Sequence, residues 1–362
     1  MAMTQSPKPA GFSLIEVMIS ITIGLVILLA VISMLATSTR SQQNMEQSAS
    51  IVENGHFSIQ TLFDDLRHAG FYGHYYSHGL ATPAALPDPC ALTEASLLAA
   101  MALPVQGYES TSLTTRANVA STTCSLLTTA NLKTGSDILV VRRADTDIFT
   151  GTPTINEVYL QSNVTTADIQ FGNSAANVPT TTADNGAISI QKRNGATLLA
   201  ADTRKYHVGV YFVAPCSVGS GSSGVCTTID DSIPTLKRLD LTSSNGVTAM
   251  VITPVAEGVE YMKLLYGIDT SPATTDLTTG LTGDGIADSQ VTIPTTVAQW
   301  RDVVSVQVHL LVRASATTTN HIDDKSYQLA TITVPAFSDS YRRHVFSSEV
   351  RLVNLAGPRS LQ

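Results

Sequence analysis

The sequence predicts an α+β protein: one long N-terminal α-helix, its first half membrane-spanning, packed on an antiparallel β-sheet head with insertions. Three observations carry this. From Val17 to Thr39 no side chain is charged. No proline lies between Pro9 and Pro83, and after Arg40 apolar residues recur at helical spacings. Beyond Pro83 the chain becomes short alternating apolar runs punctuated by Asn-Gly pairs, as strands and hairpins require.

The apolar run comes first. Its 23 residues, at about 1.5 Å each, reach about 34 Å as a helix, enough to cross an apolar bilayer core of about 30 Å. An ordinary signal peptide has an apolar core of only about 7–15 residues followed by a small-residue cleavage site. Here the run is longer, and no A-x-A site follows it before Arg40. Glu16 opens the run with apolar residues on both sides. A carboxylate at mid-membrane costs roughly 3 kcal/mol, so an acid at the margin of a span wants a partner.

The segment Gly11-Phe12-Ser13-Leu14-Ile15-Glu16 resembles the type IV prepilin processing motif. The resemblance implies that a prepilin peptidase cuts between Gly11 and Phe12 on the cytoplasmic side. Phe12 would then be the N-methylated first residue, and Glu16 the fifth. It also implies that Glu16 pairs with the N-terminal amine of a neighbouring subunit. Burying a charge beside its opposite recovers part of the desolvation cost. The leader, residues 1–11, holds one charge, Lys8, which suits the cytoplasmic side.

After Arg40 the helix turns amphipathic. Met45, Ala49, Val52, Ile59, Leu62 and Leu66 form a stripe with Phe63 beside it, and Gln42, Gln43, Asn44, Glu46, Glu53, Asn54 and Gln60 lie between. One helix from about Phe12 to about His68 would be roughly 85 Å long. Gly24 and Gly55 read as weak points, each costing up to about 1 kcal/mol relative to Ala. Asp64 has the spacing to pair with Arg67 and His68, and Gly70 suits the position just past the helix end. The expected divisions are a leader at 1–11, a transmembrane or filament-core segment at 12–39, an amphipathic segment at 40–69 and a β-rich head at 70–362.

The string Asp65-Leu66-Arg67-His68-Ala69-Gly70-Phe71-Tyr72-Gly73 resembles the same stretch of PilW-type minor pilins. Gly258-Val259-Glu260 with Tyr266-Gly267-Ile268-Asp269 is similar to a second element of that family. Trp300-Arg301-Asp302-Val303-Val304 leading to Leu310-Leu311-Val312-Arg313 is similar to a third. Tyr341-Arg342-Arg343 followed by Val350–Leu355 resembles its closing strand. One departure is His74, where the family often has a cysteine, so the disulfide framework is expected to differ from the family's usual one. The resemblance implies a type IV pilin-like fold and a minor pilin that helps initiate assembly, at or near the pilus tip. Its partners would be other minor and major pilins, the prepilin peptidase and the inner-membrane pilus assembly platform. The head would lie in the periplasm behind a single inner-membrane span, and outside the cell after assembly. A type II secretion pseudopilin or a pilus-borne adhesin is the alternative. A head this large suits a minor subunit, because a major one repeats at every step of a filament.

Composition agrees with export. The chain has 362 residues, a net charge of −8 and only 14% charged residues, against about a quarter in ordinary domains. The negative balance gives no reason to expect nucleic-acid binding. Runs such as Thr180-Thr181-Thr182 and Thr317-Thr318-Thr319 suit a β-rich surface outside the cytoplasm. The four cysteines, Cys90, Cys124, Cys216 and Cys226, allow three connectivities. Cys216 and Cys226 flank the short Gly/Ser loop Ser217–Val225 and are the favoured pair, a closure worth roughly 3 kcal/mol. Cys90 with Cys124 follows by elimination.

In the head, Val304 to Val312 alternates strictly, and Tyr206, Val208, Val210 and Phe212 do likewise. Shorter strand candidates are Ile138–Val141, Val158–Leu160, Ile188–Ile190, Ala249–Ile252, Leu329–Val334 and Val345–Leu355. Pro83–Lys133 reads as an insertion with a short helix at Glu94–Ala102. No metal or cofactor is expected. His74 and His78 have an i,i+4 spacing but lie in a glycine- and tyrosine-rich loop. Asp269, Asp276, Asp284 and Asp288 lack the order of a calcium loop and read as solvated. Gly219–Gly224 matches G-x-G-x-x-G, yet it lies between two cysteines and reads as a flexible loop. No catalytic order of Ser, His, Cys and Asp stands out, and no enzyme is expected.

Overall fold

The computed structural model describes residues 11–76, 80–119, 124–172, 190–194, 197–271 and 283–359. Two compact units divide the chain, Met1–Ala49 and Ser50–Gln362. Helix α1, Leu14–His68, contributes to both. In the first unit every described side chain of α1 before Asn44 is exposed. Hydroxyls along that stretch bond back to the helix: Ser20 donates to the carbonyl of Glu16 at 2.7 Å, Ser33 to Ala30 at 2.9 Å and Thr37 to Ser33 at 2.9 Å. They therefore need no partner in an apolar medium.

The second unit carries the sheets. Its elements, in order, are α2 (Glu94–Ala100), β1 (Val105–Tyr108), β2 (Ile138–Ala144), β3 (Val158–Ser162), β4 (Ala167–Phe171), β5 (Gln191–Asn194), β6 (Thr197–Ala200), β7 (Thr203–Ala214), β8 (Thr235–Ser244), β9 (Val247–Glu257), β10 (Val259–Ile268), β11 (Ser289–Val291), α3 (Val297–Arg301), β12 (Val303–Arg313), β13 (Tyr327–Leu329), β14 (Ile332–Val334), β15 (Arg343–Arg351) and α4 (Val353–Arg359). A seven-stranded sheet runs β1-β2-β7-β3-β4, with β8 joining β7 to β9. A four-stranded sheet runs β11-β10-β12-β15. All pairings are antiparallel.

Alternation sorts the side chains onto two cores. From β2, Leu139 and Val141 enter a core shared with Ile51, Leu62 and Leu66 of α1 and with Val306, Val308 and Leu310 of β12. From the same strand Ile138 and Val140 enter a second core with Tyr72, Leu97, Val210 and Phe212. The seven-stranded sheet is therefore apolar on both faces. One is covered by α1 and the four-stranded sheet, the other by the segment around α2. Thr93 caps α2, its hydroxyl accepting from the backbone N–H of Ser96 at 3.3 Å.

Several sequence expectations change. The run Leu329–Val334 is a hairpin and not one strand: β13 and β14 pair through Leu329 and Ile332, and Ala330 has φ +52°. This hairpin covers Leu311 on the outer face of β12. Val345–Leu355 is also not one strand, because β15 stops at Arg351 and Val353 opens α4. Asp64 does not pair with Arg67. It accepts from Gln60 at 3.0 Å, and His68 Nδ1 meets its backbone carbonyl at 2.7 Å. The turn at Asn185-Gly186 and the strand start at Ile188 lie outside the described residues.

Gly55 is the sharpest reversal. A Cβ there would sit 2.2 Å from Cε2 of Phe346 on β15. The glycine lets the helix lie on that ring, which His56 and His344 also flank edge-on. Helix propensity alone makes Gly55→Ala stabilising by about 1 kcal/mol, whereas overpacking costs about 1–3 kcal/mol. Gly55→Ala is therefore expected to lower the thermal midpoint, and to lower it less in a Phe346→Ala background. Circular dichroism melts of the four proteins check this; a raised midpoint for the single variant would contradict the packing account.

Candidate functional site

The candidate site is the N-terminal end of α1. Gly11, Phe12 and Ser13 are non-helical, and Phe12, Leu14 and Ile15 are strongly exposed. Val17 N–H donates to the Ser13 carbonyl at 3.2 Å, so Ser13 is the N-cap. Glu16 Oε2 accepts from the Ser13 N–H at 3.1 Å. Ser13 and Glu16 thus form half of a capping box, whose signal is the string S-L-I-E. The carboxylate also lies where the positive end of the helix dipole favours an anion. The result is a short, unwound, exposed lead-in followed by an acid and then an uncharged helix. The leader residues 1–10 lie outside the described residues.

A second group orders the other end of α1. Asp65 Oδ1 accepts from Arg143 Nε of β2 at 3.0 Å. Its Oδ2 accepts from the Tyr211 hydroxyl of β7 and meets Arg238 of β8 at 3.4 Å. One carboxylate thus holds the helix end to three strands. Burial first, and then the Asp65 charge, push the Tyr211 hydroxyl well above its ordinary range. Helix periodicity assigns Asp65 no such role, because its partners lie 78, 146 and 173 residues away. Gly70 follows at φ +74°, and a Cβ there would meet Leu355 at 2.7 Å.

The cysteines form two bonds, Cys90–Cys124 and Cys216–Cys226, with Cα atoms 5.2 and 5.8 Å apart. Asp88, Cys90 and Cys124 cluster as metal donors would, but sulfurs joined to each other supply no thiolate. The Gly219–Gly224 loop is tied down at both ends by Asp230, which accepts from Ser220 N–H at 3.1 Å and from Thr227 N–H at 2.6 Å, while Asp231 accepts from Ser217 N–H at 2.9 Å. The acids read as solvated are only partly so. Asp269 is 2% exposed, accepts from Gly285 N–H at 2.8 Å and faces Arg359 at 3.4 Å. Asp288 accepts from Thr270 N–H at 2.7 Å, and Asp284 from Ile286 N–H at 2.9 Å. These carboxylates brace a loop. Asp276 lies outside the described residues, as does His78; His74 is exposed.

Two family models match the chain. Residues 7–32 match the prokaryotic N-terminal methylation motif, which spans Gly11, Phe12 and Glu16. Residues 210–354 match type IV pilus-assembly protein W, from β7 to the start of α4. Among solved structures, a type IV-like pilin from Thermus thermophilus is similar at 13% identity and a TM-score of 0.21, covering 41% of this chain and 79% of that one. No curated protein matches.

An apolar N-terminal helix with a methylation motif, leading into antiparallel sheets, fits a type IV pilin-like protein anchored in the inner membrane. The second match, over residues 210–354, supports a resemblance to pilins of the PilW type. Both matches point to a structural subunit of a pilus rather than to an enzyme.

Proposed function

We propose that the chain is a minor pilin that helps initiate pilus assembly and sits at or near the tip, its head in the periplasm until the filament carries it out. Residues 1–11 would be the leader, 12–39 the membrane and filament-core segment, 40–69 the amphipathic segment and 70–362 the head. A prepilin peptidase would cut between Gly11 and Phe12 and expose the amine that is methylated. The assembly platform and the other minor and major pilins would be its partners. The observation that carries this is the exposed, unwound Gly11–Ser13 lead-in directly before Glu16 and the uncharged helix. A peptidase needs an extended segment, and a helix interior would deny it one.

The expected mature protein begins at N-methylated Phe12. N-terminal mass spectrometry of membrane-extracted protein checks this, and a start at Met1 in cells with an active prepilin peptidase would sink it. Recovery from sheared pili at a few copies per filament, together with loss of piliation on deletion, is the result expected of an initiating subunit.

A further inference from the structure

We propose that Cys216–Cys226 is a thiol-exchange site, opened by dithiols, with Lys237 stabilising the departing sulfur. Lys237 lies on β8 with its side chain buried. Its Nζ is 3.5 Å from Cys216 Sγ and 3.6 Å from Cys226 Sγ. Among the described residues no carboxylate comes within salt-bridge reach of this ammonium. Burial pushes its pKa down, and the charges of Asp231 and Asp230 only partly oppose that. Those two acids are held away by the loop backbone.

A bonded sulfur is a weak acceptor, so the oxidised state gives the buried ammonium little. A thiolate at the same place would form a charge-assisted pair with it. Lys237 therefore favours the reduced state over the oxidised one, and a better leaving thiolate is also displaced faster. A cleft of about 350 Å³ lined by Ala130, Pro215, Thr227, Asp231 and both half-cystines gives a reductant its approach.

A thiolate of the dithiol attacks one sulfur and forms a mixed disulfide, and the bonding pair leaves on the other sulfur beside Lys237. The second thiol of the reductant then displaces the remaining cysteine and closes its own disulfide. Two electrons and two protons pass from the dithiol to Cys216 and Cys226.

The other disulfide has the opposite setting, with Asp88 Oδ1 3.8 Å from Cys124 Sγ. A negative neighbour disfavours a thiolate. The two bonds of one molecule are thus each other's control.

The test equilibrates full-length protein in detergent with graded ratios of reduced to oxidised dithiothreitol, then alkylates and maps both pairs. Cys216–Cys226 is expected to open first, with an equilibrium constant about tenfold above that of Cys90–Cys124, or ~30 mV. Lys237→Met should lower that constant about tenfold without moving Cys90–Cys124, and Lys237→Arg should restore it. If Cys90–Cys124 opens first or the two open together in the wild type, the proposal fails whether or not Lys237→Met folds. An unchanged constant in a folded Lys237→Met protein also overturns it.

Discussion

Glu16→Ala is expected to leave membrane insertion and leader cleavage near normal and to remove the protein from pili. Insertion of a single helix should hold or improve, because the change deletes a charge that apolar surroundings disfavour. Cleavage would act at the Gly11–Phe12 junction, four residues before the acid. Within a filament the carboxylate would face a neighbour's terminal ammonium at low dielectric. Removing one partner leaves the other charge buried and unpaired, a loss on the order of 3–5 kcal/mol, or a hundredfold and more in occupancy.

The capping contact supplies the control. Glu16 also accepts from the Ser13 N–H, and a glutamine at that position can make the same bond without the charge. Glu16→Gln should therefore fail like Glu16→Ala if the charge matters, and behave as wild type if only the cap matters. Membrane level, cleavage and abundance in sheared pili are the three readings. Wild-type abundance of both variants would show that the salt-bridge account does not apply to this subunit.

Lys263→Met is expected to destabilise the head by about 3–5 kcal/mol near neutral pH. Lys263 Nζ donates to Asp137 at 2.5 Å and to the Ser110 carbonyl at 2.8 Å, and both charged side chains are 3% exposed. Asp137 also accepts from Ser110 and Leu264 N–H at 2.9 and 3.0 Å, so the pair ties the start of β2 to β10. Burial pushes the Asp137 carboxyl up to about 6 despite Lys263. Without the lysine it should rise further. A carboxyl raised in the folded state favours folding below its unfolded value, near 4, and that contribution is lost as pH rises through the folded value. Lys263→Met should thus be least harmful near pH 5 and most harmful near pH 8, and adding Asp137→Asn should recover most of the loss. Thermal melts at both pH values check this; equal losses at pH 5 and 8 would mean that the unpaired carboxylate is not the cause.

Long uniform patterns were legible from the chain. The charge-free run and the strict alternations ending at Val312 and Phe212 became α1, β12 and β7, while of the stripe after Arg40 only its later part, Leu62 and Leu66, is buried and Met45 and Val52 are exposed. Short or mixed patterns were not. Leu329–Val334 carries no Asn-Gly or Pro-Gly signal, yet it turns at Ala330, because only the outer face of β12 needs covering there. After Arg351 the spacing of Leu352 and Leu355 fits a strand's end or a helix's start, and packing against Ala69 and Gly70 chose the helix.

The sequence by itself determined the long apolar helix, the motif at Gly11 to Glu16, the helix end near Gly70 and the α+β class. Each is a local or one-dimensional property, a period or a short string. Only the tertiary structure decided which charges are buried and what holds them. Arg343, whose side chain is buried, meets Glu260 at 2.6 Å, Asp323 at 2.8 Å and Asp339 at 2.7 Å. Asp137 finds Lys263 across 126 residues of chain, Asp65 gathers three strands, and Lys237 lies against a disulfide. A charge leaves water only where partners converge on it. Convergence from distant strands depends on register and on how the sheets pack, and no window along the chain contains that.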